Sequence, residues 1–101
     1  MKIPESFKVD SKPYAVSLVR HTRPKGTMGT VYYDLRRIEI ATHSGRTDRR
    51  FSKAEIADTF WHEVTHAILR DMGHSLWRNE SFVTNFSRRL TEVVMTARLP
   101  D

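Results

Sequence analysis

The chain has 101 residues, 39% of them hydrophobic and 29% charged, which sizes it for one domain around one modest core. No apolar run approaches the roughly 20 residues of a membrane span, and the absence of cysteine excludes a disulfide scaffold, a thiolate zinc finger and a cysteine nucleophile. Seventeen Lys and Arg against twelve Asp and Glu leave a net charge of +5, which suits nucleic acid or an acidic partner without requiring either.

The first residues, MKIPESFKVD, carry no apolar leader segment, so a cytoplasmic location is expected. Phe7 to Asp10 reads as a short extended run broken by Ser11-Lys12-Pro13. Tyr14 to His21 follows as a strand, with Tyr14, Val16 and Leu18 on one face and Ala15, Ser17, Val19 and His21 on the other. Pro24, Gly26 and Gly29 mark a loop. Val31 to Leu35 and Arg37 to Thr42 read as a further pair of strands, and in the second Ile38 and Ile40 alternate with Arg37 and Glu39. Ser44 to Asp48 is a polar loop. The basic residues cluster only at Arg36/Arg37, Arg46/Arg49/Arg50 and Arg88/Arg89, and their simplest reading is a solvated surface.

The second half reads as two helices. Ser52-Lys53-Ala54-Glu55 is a capping box, and Phe51 and Ile56 are spaced for a hydrophobic staple across it. Ile56, Phe60, Val64, Ala67, Ile68 and Met72 then recur at helical spacing, and Gly73 suits the residue just past the end, which predicts a helix over about 53–72. Asn79 is a good N-cap for a second helix over about 80–98, with Phe82, Val83, Phe86, Leu90, Val93, Val94 and Ala97 as its apolar stripe. The fold class is therefore α+β: a single domain over 1–101, with three or four strands in an antiparallel sheet followed by two helices.

The first helix contains His62-Glu63-Val64-Thr65-His66, an HExxH pattern. Four residues advance the helix by about 400°, so His62 and His66 lie about 40° apart on one face and can reach one metal ion. Glu63 need not bind the ion; it is placed to act as general base toward a water that the metal acidifies. Zinc calls for a third ligand. Asp71 would point about 140° away from His66 on a continuous helix and is rejected. Leu69 and Met72 stand where a metzincin has Gly and His, which excludes that arrangement. Glu80 can be brought alongside the pair by a helical hairpin, while His74 could reach back only through a tight turn. The plain alternative for Glu80 is an acid favoured by the helix dipole.

HEVTH followed by AILRDMGH and NESFVTNFSRRL resembles the gluzincin pattern of small zinc metallopeptidase-like proteins, including the ImmA/IrrE type and short phage- or prophage-encoded relatives. The resemblance implies a minimal zincin-like core, Zn2+ held by His62, His66 and Glu80, Glu63 as general base, and a peptide or protein substrate laid along an edge strand. Arg37 to Thr42 is the candidate for that strand. His43, just after it, is the favoured candidate among His43, Tyr32, Tyr33 and His74 for the donor that meets the oxyanion or contacts substrate. The competing function is a non-catalytic, zinc-stabilised binding module with a basic partner surface, nucleic acid being one partner class.

Overall fold

The computed structural model describes residues 1–100. Its elements run β1 (Ser6–Val9), β2 (Lys12–Val19), β3 (Gly29–Tyr32), β4 (Arg37–Ala41), α1 (Lys53–Asp71), a 3-10 turn over Ser75–Arg78 and α2 (Glu80–Thr96). The fold is α+β: a four-stranded sheet in the N-terminal half packed with two helices. No helix is long and apolar enough to cross a membrane.

The sheet is mixed, not wholly antiparallel. Its order is β1-β2-β4-β3. β1 pairs antiparallel with β2 and β3 antiparallel with β4, but β2 and β4 run parallel, with Ala15 opposite Arg37 and Val19 opposite Ala41. Alternation of apolar and polar residues is the same in either orientation, so patterning cannot reveal this. A parallel neighbour usually needs a long helical crossover. Here β2 feeds the far edge strand β3, and the β3–β4 hairpin then returns β4 into the gap between them. The turn closes with the Arg36 amide donating to the Tyr33 carbonyl at 3.1 Å.

One consequence corrects the sequence reading. Arg37–Ala41 is not an edge strand; it lies between β2 and β3, with Ile38, Ile40 and Ala41 buried. The free edge on the α1 side belongs to β3.

The core gathers Tyr14, Ile38 and Ile40 from the sheet with Ile56, Phe60, Val64 and Ala67 from α1. Phe7 stacks on Tyr14 at 5.4 Å and meets Phe60 edge-on at 6.0 Å. The Tyr14 hydroxyl donates to Asp71 at 3.1 Å, and Arg36 closes over the ring while pairing with Asp71 at 2.9 Å. Asp71 thus belongs to the far side of α1, as its angular position requires. The expected stripe of α1 is accurate through Ala67; beyond it Leu69 turns inward, while Ile68 and Met72 are exposed.

Both ends of α1 are closed as the sequence indicates. The Ser52 hydroxyl accepts from the Glu55 amide at 3.1 Å, and the Glu55 carboxylate accepts from the Ser52 amide at 2.9 Å. At the C-terminus Gly73, at φ 67°, forms a Schellman motif: its amide donates to Arg70 and the His74 amide to Leu69.

α2 departs from its predicted face. It packs on α1 through Val83, Ser87 and Thr91, the buried residues of the helix. Phe82 and Phe86 stack on each other at 5.9 Å on the exposed side, and Val93 is exposed as well. Small side chains allow the two helices to approach, and the Thr91 hydroxyl is satisfied by the Ser87 carbonyl one turn back at 2.7 Å.

Ser52→Ala should cost about 1 kcal/mol in urea unfolding. Arg49 and the Ser52 backbone hold the Glu55 carboxyl down at about 2, against an ordinary 4.5. A lowered folded-state pKa stabilises above the unfolded value and loses that stabilisation as pH falls through the folded one. The stability gap between wild type and Glu55→Gln should therefore be full above about pH 5 and vanish near pH 2, read by urea titrations across that range. A pH-independent gap would contradict the assignment.

Candidate metal centre

His62 and His66 project from α1 on one side, and the hairpin sets Glu80, the first residue of α2, against both. The hairpin depends on three local features. The Schellman turn ends α1. The 3-10 turn that follows is capped by His74, whose Nδ1 accepts from the Leu76 amide at 3.1 Å. Asn79 then starts α2, its side chain accepting from the Phe82 amide at 2.9 Å.

The atoms that converge can all act as electron-pair donors. His62 Nε2 lies 3.2 Å from His66 Nε2. Glu80 Oε1 lies 2.8 Å from His66 Nε2, and Glu80 Oε2 lies 3.1 Å from His62 Nε2. On its other side, His66 Nδ1 lies 2.7 Å from the Trp77 carbonyl oxygen. A carbonyl can only accept, so Nδ1 carries a proton there. In the neutral ring Nε2 is then a bare lone pair, facing a carboxylate oxygen and a second imidazole nitrogen. The contact between His66 Nε2 and Glu80 Oε1 calls for an added proton or a metal ion between the two atoms. Donors bound at about 2.0–2.1 Å around a tetrahedral centre lie about 3.3–3.4 Å apart; the separations of 2.8–3.2 Å fall just inside that spacing, so a small outward shift of Glu80 would admit an ion.

His62, Glu63 and His66 offer ligand atoms that all lie within 4.8 Å of one another, so this group could hold a metal ion. Within it, Glu63 stands apart. Its Oε1 is 3.9 Å from His62 Nε2, farther than either carboxylate contact of Glu80. Glu63 is buried, and burial pushes its carboxyl up to about 8, with the Glu80 charge adding to the shift. Burial lowers the pKa of His62, against the pull of Glu80.

The floor beneath Glu63 is β3. A Cβ on Gly29 would sit 2.8 Å from Glu63 Cγ and 2.9 Å from Thr59 Cγ2, so only glycine permits this approach of strand and helix. A cleft opens over the imidazoles, lined by Thr27 and Gly29 on the sheet side and by Glu63 and Glu80 on the helical side.

Of the candidate oxyanion donors, only Tyr33 lines this cleft. Burial pushes its hydroxyl up to about 12, with Glu63 adding to the shift, so it stays protonated and able to donate. His43 is not brought to the site. It bonds Thr42 at 2.7 Å through Nδ1 and bridges to Arg50. His21, the last residue of the strand expected from the sequence, lies beyond β2 and pairs with Asp48 at 2.9 Å in an exposed loop contact. The Tyr32 hydroxyl turns to Glu39 at 3.3 Å, and His74 is occupied as a cap. Trp61 packs on Phe60, whereas Trp77 lines the cleft.

Sequence reasoning missed the Trp77 carbonyl, since a backbone acceptor leaves no signature in residue type. It also missed Gly29, read only as a loop residue; a lone Gly opening a strand pattern is the available signal for close backbone approach.

Comparison with known proteins gives no match: neither a family model, nor a curated protein, nor a solved structure matches this chain.

Gly29→Ala should cost about 1–3 kcal/mol, because both atoms it meets belong to buried side chains of α1. Urea unfolding measures it; an unchanged midpoint would mean that strand and helix are not in tight contact.

Proposed function

We propose that this protein is a zinc-dependent metallopeptidase-like hydrolase. The observation that carries the reading is the set of donor spacings of 3.2, 3.1 and 2.8 Å among His62, His66 and Glu80, with Glu63 set back from them. His62, His66 and Glu80 would hold the ion, and the Trp77 carbonyl would fix the tautomer of His66. Zinc in that position supplies Lewis acidity, polarising a carbonyl and lowering the pKa of a water toward ~7.

The remaining work falls to the chain's own groups. Glu63, favoured as its carboxylate by a cation nearby, would accept a proton from the attacking water and return it to the leaving amine. The Tyr33 hydroxyl donates to the oxyanion that develops on the substrate carbonyl. The open edge of β3 supplies backbone donors and acceptors for an extended peptide, in place of the β4 segment expected from the sequence.

A second reading, a zinc-stabilised module without catalysis, draws support from the docking of α2. Only Val83, Ser87 and Thr91 of that helix are buried, so a metal spanning α1 and α2 would add substantially to their association. A nucleic-acid role for such a module has less support. Arg36, Arg37 and Arg49, from the basic clusters, are each paired with a carboxylate at 2.9–3.1 Å.

Elemental analysis of protein purified without a metal-affinity tag should find about one zinc per chain, lost in His62→Ala and in Glu80→Ala. Folded wild-type protein free of metal would overturn the proposal. Glu63→Gln should keep the zinc and lose about 10²–10⁴ of peptide turnover. Retained full turnover in that variant excludes the mechanism. A wild type that binds zinc, cleaves no peptide and unfolds on chelation would favour the binding module.

A further inference from the structure

The cleft over Glu63 has two unlike halves, one of about 420 Å³ and one of about 450 Å³. They share Thr27, Gly29, Glu63 and Glu80, so they adjoin across the candidate centre. The first half adds Met28, Asp58 and Thr59. The second adds Arg23, Tyr33, Trp77 and Arg78. Glu63 and Glu80 line both arms; one arm gains a further carboxylate from Asp58 and the other gains two guanidinium groups.

Those guanidinium groups are uncommitted. Arg20, Arg36, Arg37 and Arg49 each form an ion pair at 2.6–3.1 Å, and the other arginines form none among the described residues. Among the described residues neither Arg23 nor Arg78 forms one, although Glu80 lines the same space; its two oxygens are turned to the imidazoles. The Arg78 guanidinium lies 4.9 Å from the centre of the Trp77 ring, and Arg70 also approaches that ring at 4.9 Å. Contact with an aromatic ring fixes a guanidinium while leaving its N–H donors free for a carboxylate. Trp77 is itself held edge-on by Tyr33 at 5.2 Å. The arm thus combines a fixed aromatic wall with two unpaired cations, at the end of β3 away from Met28.

We propose that this cleft selects acidic peptides, with Arg23 and Arg78 receiving an Asp or Glu side chain of a segment lying along β3. The inference rests on the hydrolase reading only in placing that segment across Glu63. Arg23 and Arg78 are then specificity-determining residues. Asp58, at the opposite arm, opposes a second acidic side chain there, so the selected segment carries its acidic residues on one side of the candidate centre only.

The test is direct binding to the zinc-loaded Glu63→Gln protein, followed by tryptophan fluorescence and by calorimetry. The probes are three hexapeptides, acetylated and amidated, that differ only in a pair of residues: Glu-Glu, Gln-Gln or Lys-Lys. The Glu-Glu peptide should bind about tenfold more tightly than the Gln-Gln peptide. That margin should shrink in high salt and disappear in Arg23→Gln/Arg78→Gln. Equal affinities, or a margin that survives in the double variant, would overturn the inference. So would tighter binding seen only when the C-terminal amide is replaced by a free acid, since the terminus and not a side chain would then fill the arm. Turnover of the same peptides by the wild-type protein separates the two readings. Glu-selective binding without cleavage supports this inference and defeats the hydrolase; cleavage without preference for Glu-Glu does the reverse.

Discussion

The hydrogen bond between His66 Nδ1 and the Trp77 carbonyl, 2.7 Å long, settles which atom of that ring faces the cleft as a donor of electrons. Without it the imidazole could flip or change tautomer, and Nε2 would no longer need to meet Glu80 as a lone pair. The bond in turn demands that residue 77 sit beside residue 66. That requires α1 to stop where it does, at the Schellman turn, and the chain to fold back at once through Ser75–Arg78. The Trp77 side chain secures the return by packing against Tyr33 and lying beside Arg70 and Arg78. The local structure of an eight-residue connector thus fixes the tautomer of a histidine on the preceding helix.

The thin attachment of α2 gives the centre a structural as well as a chemical consequence. The main core is built from the sheet and α1, and it contains no residue of α2. α2 contributes Val83 and two hydroxyl residues to its contact, while its phenylalanines remain outside. Hydrophobic burial scales with apolar area, so this helix, with Val83 its one buried apolar side chain, gains less from docking than α1 does. Under the proposed function, the ion held between His62, His66 and Glu80 couples the position of α2 to metal occupancy. Helix docking and site assembly are then one event, which is how a chain with a small core can keep a precise site.

The elements of the second half were legible because their signals are local. The capping box, the glycine beyond α1 and the Asn79 cap each depend on residues within one turn, and each is found where the sequence puts it. The HExxH spacing is local too, since it needs only a helix to have meaning. The misread features are those set by remote partners. Strand direction depends on which strand fills the gap beside β2, and alternation is silent on that. The α2 stripe holds for Val83, Leu90 and Val94 but not for Phe82, Phe86 and Val93: the phenylalanines are the more hydrophobic choice, yet close approach to α1 selects the smaller Ser87 and Thr91. His43 was favoured by its nearness to a presumed edge strand, and it lost that role when the strand proved to be internal.

The same crossing that made the sheet mixed also creates the cleft. Had β3 and β4 followed β2 as a simple meander, β4 would be the outer strand, and Ile38 and Ile40, which project from a face of the sheet, would sit at the margin of the core and not at its centre. Returning β4 to the interior buries those isoleucines and leaves β3 outside, with Gly29 beneath α1. Glycine lets the strand approach until Glu63 is enclosed between sheet and helix, and that enclosure is what pushes its carboxyl up toward neutrality. The free hydrogen-bonding edge of β3 then lies next to the one buried carboxyl of α1. Strand order, the bare Cα of Gly29 and the raised pKa of Glu63 are linked steps of one arrangement.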